Sequence, residues 1–155
     1  MTAKPAYAER LGVPLRWWVQ GTMLVATLWL AVVVAVPGPV AWVVTAVALA
    51  ALFAGLWSYG NTRVCVDGEV FRAGRAHIEA TYVGAATALD ADQTRRVAGV
   101  HADARAHLVL RPYLKRAVRV EITDPADPAP YWLVSTRRPE ELAKALTELG
   151  QSVRP

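Results

Sequence analysis

The feature that most constrains this chain is a stretch, residues 17–62, that contains no Asp, Glu, Lys or Arg. A bilayer core of roughly 30 Å requires about 20 apolar helical residues, and backbone amides in lipid must be paired within their own segment. Residues 17–36 and 40–57 each approach that length. Between them, Pro37 and Pro39 would end a helix, and Gly38 permits a sharp reversal. The stretch therefore predicts a transmembrane helical hairpin over residues 17–60.

Aromatic residues at the ends of the two predicted spans support the same interpretation. In an antiparallel hairpin, the start of the first span and the end of the second lie at one membrane face, where an aromatic belt is expected. Four residues occupy these positions and are predicted to be membrane-interface anchors: Trp17, Trp18, Trp57 and Tyr59. Trp42 is expected at the opposite face, and Trp29, in mid-span, is expected to pack inside the hairpin.

Small residues recur at every fourth position on both predicted spans. Such faces let two helix backbones approach closely. The residues concerned are Thr27, Ala31, Ala35, Ala46, Ala50 and Ala54. The pattern favours packing of the two spans on each other over dimerisation of the hairpin. No ionisable residue lies within the spans, which argues against ion or proton transport.

Basic residues lie before and after the hairpin, on the side of the two termini, and none lies in the turn between the spans. They are Lys4, Arg10 and Arg16 before it and Arg63, Arg72 and Arg75 after it. The positive-inside rule then predicts a multi-pass protein of the cell (plasma) membrane with both termini in the cytoplasm. A cleaved signal peptide is the competing interpretation. Its apolar region would span only about 7–15 residues and would end at a small-residue cleavage site.

The rest of the chain divides around this hairpin. Residues 1–16 are predicted to be a basic cytoplasmic lead. Residues 7–11 could form one turn of interfacial helix, but they are better explained as an anchor for the first span. Residues 61–150 are predicted to be a cytoplasmic β-rich domain with a C-terminal helix, and residues 151–155 a tail. The single cysteine, Cys65, cannot form an internal disulfide, which fits a reducing compartment.

Short runs of alternating polarity after residue 61 predict about seven strands. Two of these runs flank Asp67-Gly68, a strong local signal for a hairpin. Residues 117–123 alternate cleanly, with Val118 and Val120 on one side and Arg119 on the other. Further candidate strands cover residues 76–79, 84–89, 107–111 and 131–135. Residues 90–105 are polar and irregular, with a helical turn near residues 93–97.

A final amphipathic helix is predicted from Pro139, which suits a first helical turn. Leu142, Leu146 and Leu149 form one apolar stripe, and Gly150 is expected to stop the helix. An order of several strands followed by one closing helix resembles that of a pleckstrin-homology-like barrel. The predicted fold class is therefore an α+β membrane protein. It combines an N-terminal two-helix transmembrane hairpin with a small β-rich, pleckstrin-homology-like domain that ends in an amphipathic helix.

Two segments resemble a known family. They contain the runs YAERL, VPL and WW in residues 7–18, and LRPY, VRV, TDPADP and YWLVSTRRPEEL in residues 110–142. Together they resemble a family of short actinobacterial two-span membrane proteins classified as a domain of unknown function. The resemblance implies a membrane location and a cytoplasmic β-rich domain, and it brings no catalytic residue. The run STRRPEEL is also similar to the last strand and final helix of membrane-tethered bacterial pleckstrin-homology-like domains.

Few residues are arranged for metal binding or for catalysis by carboxylates. Zinc needs three or four converging ligands, and His101, Asp103 and His107 lack a known ligand spacing. No metal is therefore expected. Asp90 and Asp92 could be a carboxylate pair, but they lie in a polar loop, where such residues usually face water.

Other catalytic patterns are absent from the sequence. It contains no nucleophile elbow and no glycine pattern for phosphates or dinucleotides. No cofactor is therefore expected. Ser135 and Thr136 are better explained as residues that help to cap the final helix.

The arginines of the second domain are the remaining candidates for a functional site. Four of them are predicted to form a basic contact face for lipid or a partner: Arg111, Arg116, Arg137 and Arg138. Anionic headgroups attract each basic residue near the surface by about 1 kcal/mol, and Arg can bind phosphate bidentately. The alternative is a solvated surface balanced by Asp and Glu. Nucleic-acid binding is not expected, because the basic residues form no dense stripe and no recognised motif accompanies them.

These features predict a non-catalytic, membrane-anchored interaction or scaffold module that binds a protein partner or anionic lipid at the inner leaflet. Two alternatives stay open. One is a membrane enzyme acting on a lipid or envelope precursor, which would need a pocket joining His101 or His107 to carboxylates. The other is an accessory subunit of a membrane complex, docked through the small-residue faces.

Overall fold

The computed structural model describes residues 5–36 and 38–153, which form two compact units. Of these residues, 12–36 and 38–62 belong to the helical unit, and 5–11 and 63–153 belong to the β-rich unit. Lys4, part of the predicted basic flank, and Pro37, part of the predicted turn, lie outside the described residues.

The helical unit consists of two long helices, as predicted. Helix α1 covers Leu15–Ala35 and helix α2 covers Val40–Gly60. Both are long and apolar enough to cross a membrane, by length and composition. Gly38, in the connection between them, has φ +100°, a conformation that a side chain would strain. This agrees with the expected sharp reversal at that residue.

The two helices pack through a different face from the predicted one. Gly21 on α1 approaches α2 so closely that an added Cβ would lie 2.8 Å from Leu52 Cδ1. Val25 on α1 and Ala41 on α2 are buried, and so is Gly60 at the end of α2. The small residues predicted to form the contact are all exposed: Thr27, Ala31, Ala35, Ala46, Ala50 and Ala54. The prediction was wrong because an Ala-rich span repeats small residues on several faces, and only one of these faces can meet the partner helix.

Aromatic pairs join the helices near both ends. Trp17 stacks on Tyr59 with ring centroids 6.5 Å apart. Trp29 lies 5.7 Å from Trp42, which agrees with its predicted packing role. Trp18 contacts Phe53 edge-on at 5.0 Å.

Within the described residues, the β-rich unit contains eight strands and two α-helices. The strands are β1 (Tyr7–Leu11), β2 (Thr62–Asp67), β3 (Val70–Ala73), β4 (Ala76–Glu79), β5 (Val83–Leu89), β6 (His107–Val109), β7 (Ala117–Ile122) and β8 (Tyr131–Ser135). The helices are α3 (Ala91–Ala98) and α4 (Pro139–Ser152). Sheet A has the order β1-β2-β3-β4 and sheet B the order β5-β7-β8-β6, with β6 parallel to β8. The predicted α+β class, with two long apolar helices before a β-rich part that ends in a helix, is confirmed.

The segment Tyr7–Leu11 is a strand, whereas the sequence favoured a simple anchor for the first span and left one turn of interfacial helix open. It neighbours β2 in sheet A, although the whole helical unit separates the two strands in the chain. Next to the strand, the Ala6 amide donates to the Val66 carbonyl at 2.9 Å. Tyr7 and Leu11 are buried in the core of the β-rich unit, and this burial outweighs any local helical tendency.

The hairpin predicted at Asp67-Gly68 is present in sheet A, and a second hairpin that was not predicted follows it. Strands β2 and β3 are antiparallel, with Asp67 opposite Val70 across the Gly68 turn. Strands β3 and β4 are also antiparallel, and their turn contains Gly74 at φ +68°. Because sequential short hairpins depend on local turn chemistry, this part of the fold was accessible from the sequence.

Helix α3 is longer than the single turn expected in the polar segment. Asp90 caps it through a reciprocal pair of hydrogen bonds with Gln93: the Gln93 amide donates to Asp90 Oδ1 at 2.8 Å, and the Asp90 amide donates to Gln93 Oε1 at 3.0 Å. This capping box explains Asp90 without any catalytic pairing. Asp92 instead bonds Arg95 on the same helix, at 3.0 Å.

Helix α4 closes the main core, as its leucine stripe predicted. Leu142, Leu146 and Leu149 are buried against strands of both sheets. Gly150 does not stop the helix, which continues to Ser152. An added Cβ at Gly150 would lie 3.3 Å from the Val83 carbonyl oxygen, so this glycine permits close packing of α4 on β5.

Candidate interaction site

The junction between β1 and the end of β8 contains a buried carboxylate that accepts hydrogen bonds from three residues. Glu9, whose side chain is 6% exposed, lies at its centre. The Tyr7 hydroxyl donates to Glu9 Oε2 at 2.6 Å, and the Thr136 hydroxyl donates to the same oxygen at 2.5 Å. The Arg137 amide donates to Oε1 at 3.2 Å, and the Arg137 guanidinium lies 3.5 Å from that oxygen. We call Tyr7, Glu9, Thr136 and Arg137 the Glu9 cluster.

The Glu9 cluster keeps its carboxylate ionised. Burial alone would raise the pKa of Glu9, but the hydrogen bonds from Thr136, Tyr7 and the Arg137 amide, together with the Arg137 charge, lower it below its ordinary value. Burial and the bond to Glu9 raise the pKa of Tyr7 to about 12. The cluster is therefore a charged, internally satisfied connection at neutral pH.

Three of the four predicted contact arginines meet at this junction. Arg137 Nη1 also donates to the Arg10 carbonyl at 3.1 Å, and Arg116 Nη2 donates to the Arg137 carbonyl at 2.7 Å. Arg138 Nη1 bonds Glu141 at 2.8 Å, and its guanidinium lies 5.2 Å from the centre of the Tyr7 ring. These side chains fasten the segment after β8 to β1 and to the start of α4.

The fourth predicted arginine, Arg111, is tied to the same segment through its backbone. Its amide donates to Ser135 Oγ at 3.0 Å, so Ser135 bonds a neighbouring loop and not the final helix. Thr136 does contribute at the helix start, because its hydroxyl accepts from the Arg138 amide at 3.0 Å. The side chains of Arg137 and Arg138 are still 45% and 49% exposed. A contact face formed by Arg111, Arg116, Arg137 and Arg138 stays a prediction.

A second feature is an open depression of about 470 Å³ between β1 and β2. Arg10, Arg63, Cys65 and Asp67 line it. Burial and the nearby Asp67 carboxylate raise the pKa of the Cys65 thiol, although Arg72 and Arg63 act in the opposite direction. The thiol is therefore mostly protonated at neutral pH, and the depression is distinguished by its arginines.

Two of the three residues of the candidate metal site, Asp103 and His107, make other contacts. Asp103 accepts hydrogen bonds from the Arg105 amide and guanidinium, which lower the pKa of Asp103. The His107 ring packs on Trp132 with centroids 5.0 Å apart. Within residues 5–36 and 38–153, no group of three or more His, Cys, Asp or Glu side chains is placed to hold a metal ion.

The predicted membrane anchors all belong to the helical unit. Trp17 and Tyr59 stack at one end of the helix pair. Trp18 lies next to them on α1, and Trp57, on α2, is 66% exposed. Their position at a membrane interface stays a prediction.

Sequence reasoning missed Tyr7 and Glu9, which organise the junction. A signal was present, because Tyr7, Glu9 and Leu11 are spaced two apart, as on one face of a strand. Ala8 and Arg10, on the alternate positions, are exposed.

Comparison with known proteins identifies the family. A family model described as a protein of unknown function (DUF3093) matches residues 6–146. No curated protein and no solved structure matches the chain. Because the matched region covers nearly all of both units, the chain belongs to the DUF3093 family of proteins of unknown function.

Proposed function

We propose that this protein is a non-catalytic, membrane-anchored interaction module. Helices α1 and α2 cross the cell membrane as a hairpin, with both termini in the cytoplasm. The β-rich unit is a pleckstrin-homology-like domain that binds a protein partner or anionic lipid at the inner leaflet.

The observation that carries the proposal is the exposed apolar surface of the helical unit. Leu24, Val34 and Trp42 are 72%, 82% and 65% exposed. Monomeric soluble proteins rarely expose a contiguous apolar patch larger than a few hundred Å², and no Asp, Glu, Lys or Arg follows Arg16 in either helix. Such a surface is stable in the hydrocarbon core of a bilayer, where a helix satisfies its own backbone hydrogen bonds.

The arrangement of the β-rich unit supports recognition as its role. The pleckstrin-homology-like interpretation is based on two four-stranded sheets and the closing helix α4, which enclose one main core. At the β1–β8 junction, the carboxylate of Glu9 is saturated by donors from Tyr7, Thr136 and Arg137. A carboxylate held in this way favours a structural task for the cluster and leaves the exposed surfaces for binding.

Cys65 allows a direct topology test on the full-length protein, because it is the single cysteine of the chain. It lies in β2 and is partly exposed. A membrane-impermeant maleimide is expected to label Cys65 only after the cells are permeabilised. The reaction is run above neutral pH, because the pKa of the thiol is raised.

The matched control moves the cysteine to the predicted turn. A Cys65→Ser, Pro39→Cys double variant is expected to be labelled in intact cells. Labelling of Cys65 in intact cells would contradict the cytoplasmic orientation. Release of the wild-type protein from membranes by alkaline carbonate would contradict membrane anchoring itself.

The interaction role is tested by crosslinking the full-length protein in native membranes. Affinity capture and mass spectrometry of proteins and lipids then follow. A stoichiometric protein partner or enrichment of anionic lipid is expected. If the captured protein carries neither a stoichiometric partner nor enriched anionic lipid, the proposed interaction role is wrong.

A further inference from the structure

The exposed face of sheet A places basic side chains in register on neighbouring strands. Cys65 is opposite Arg72, and Arg72 is opposite His77. Directly paired residues project on the same side of a sheet, and so do residues two apart on one strand. Arg63, two residues before Cys65, therefore shares this face.

Four arginines gather at one end of sheet A, which we call the arginine end. They are Arg10 near the end of β1, Arg63 at the start of β2, Arg72 near the end of β3 and Arg75 in the β3–β4 turn. The Gly74 amide donates to the Arg63 carbonyl at 2.8 Å, which holds that turn beside β2. Among the described residues, no carboxylate forms an ion pair with Arg63, Arg72 or Arg75.

The acidic residues of the same sheet lie at the opposite end. Asp67 ends β2, Glu69 is in the β2–β3 turn and Glu79 ends β4. Val70 is paired with both Asp67 and Glu79, so these carboxylates share one end. At about 3.4 Å per residue, Arg63 and Asp67 are roughly 14 Å apart along β2. Sheet A is therefore electrically polar along its strands.

The arginine end is also the end at which the chain leaves for α1 and returns from α2. Residues 12–14 connect β1 to α1, and Asn61 connects α2 to β2. Three residues span at most about 10 Å. If the helices cross a membrane, headgroups at their ends are within reach of these arginines.

We propose that the arginine end of sheet A binds the phosphate groups of anionic phospholipids in the leaflet from which α1 and α2 emerge. This inference rests on the proposed membrane anchoring and names the ligand and the surface. Guanidinium groups bind phosphate oxygens bidentately. The acidic end is repelled by the same surface, so the charge polarity of the sheet orients the β-rich unit on the membrane.

The test measures lipid preference of the full-length protein by native mass spectrometry. The protein is purified in detergent with an equal mixture of phosphatidylglycerol and phosphatidylcholine. Two double variants are compared. The test variant carries Arg72→Glu and Arg75→Glu. The control variant carries Arg95→Glu and Arg96→Glu, which make the same change in charge at exposed positions of α3. Each arginine near an anionic surface raises the affinity for that surface by about fivefold.

We expect the wild type and the Arg95→Glu, Arg96→Glu variant to retain phosphatidylglycerol preferentially, and the preference to fall as salt is raised. The Arg72→Glu, Arg75→Glu variant is expected to lose at least about tenfold of that preference. Equal loss in both double variants, or an unchanged preference in Arg72→Glu, Arg75→Glu, would overturn the inference.

Failure of the inference and failure of membrane anchoring are distinguishable. Carbonate extraction of the wild-type protein reports anchoring without reference to lipid type. A protein that resists extraction but retains both lipids equally would overturn the phospholipid site alone. A protein that is extracted would overturn both.

Discussion

The Thr136 hydroxyl donates to Glu9 Oε2 at 2.5 Å, although the two residues are 127 positions apart in the chain. Glu9 lies in β1, before the helical unit, and Thr136 lies directly after β8, before the last helix. This bond therefore joins the first strand of the β-rich unit to the segment between its last strand and its last helix. It makes the first strand part of a domain whose other elements all follow the helical unit.

Glu9→Gln is expected to destabilise the β-rich unit. The substitution replaces the carboxylate that accepts hydrogen bonds from Tyr7, Thr136 and Arg137 with a neutral amide. The amide has only one acceptor oxygen, so some of these buried donors lose their acceptor. Loss of charged, buried hydrogen bonds costs about 1–3 kcal/mol. Thermal unfolding of the full-length protein in detergent, followed by near-ultraviolet circular dichroism, measures the effect as a lower Tm.

Glu141→Gln is the matched control for that substitution. Glu141 forms an ion pair with Arg138 at 2.8 Å, and both side chains are about half exposed. Exposed pairs contribute only about 0–1 kcal/mol, so the Tm should change little. Equal Tm shifts for Glu9→Gln and Glu141→Gln would show that the cluster has no special role.

Stability should fall in acid because of Glu9. The pKa of Glu9 is lower in the folded protein than its ordinary value. A carboxyl group with a depressed pKa contributes stability above its unfolded pKa, near 4.3 as an approximate reference. That contribution is lost as the pH falls through the folded pKa. As the pH is lowered below this value, the Tm of the wild type should therefore decrease more steeply than the Tm of Glu9→Gln. Parallel curves of Tm against pH for the two proteins would refute the assignment.

Stability should also fall in strong alkali because of Tyr7. Its pKa is raised to about 12 from an ordinary 10.0. A group with a raised pKa contributes stability that is complete below its unfolded pKa and is lost as the pH rises through the folded pKa. The relevant window is therefore about pH 10–12. Unfolding free energy measured across this window should decline less in Tyr7→Phe than in the wild type.

Arg137→Glu is expected to act on stability before it acts on any partner. The new carboxylate would lie next to the buried Glu9 carboxylate, and like charges in such a setting are repulsive. We expect a larger loss of Tm than for Arg96→Glu, which makes the same change in charge at an exposed position of α3. If Arg137→Glu keeps the wild-type Tm, loss of a captured partner can be read directly as loss of a binding residue.

Local patterns in the sequence were sufficient for several elements of the β-rich unit. Asp67 and Gly68 predicted their hairpin because both strands and the turn lie within a few residues. The stripe of Leu142, Leu146 and Leu149 predicted the buried face of α4 because helical periodicity is also local.

Features that depend on distant residues were not accessible in the same way. Strand β1 finds its neighbour β2 only across the whole helical unit. The roles of Arg137 and Arg138 depend on carbonyls and carboxylates of other elements, including Glu9, 128 positions away from Arg137. Sequence charge identified these arginines as candidates, but charge alone does not show which partners the fold supplies.

The two turns of sheet A should respond differently to the same substitution. Gly74 has φ +68°, where an L-residue costs roughly 1–2 kcal/mol. Gly68 has no such conformation, and a Cβ there would meet no atom within 4 Å. Gly74→Ala should therefore lower the unfolding free energy by about 1–2 kcal/mol, whereas Gly68→Ala should be neutral or stabilising by up to about 1 kcal/mol. Because the Gly74 turn also carries Arg75, Gly74→Ala should weaken phosphatidylglycerol preference as well, and Gly68→Ala should not. Equal stability in the two variants would contradict the turn geometry described for β3 and β4.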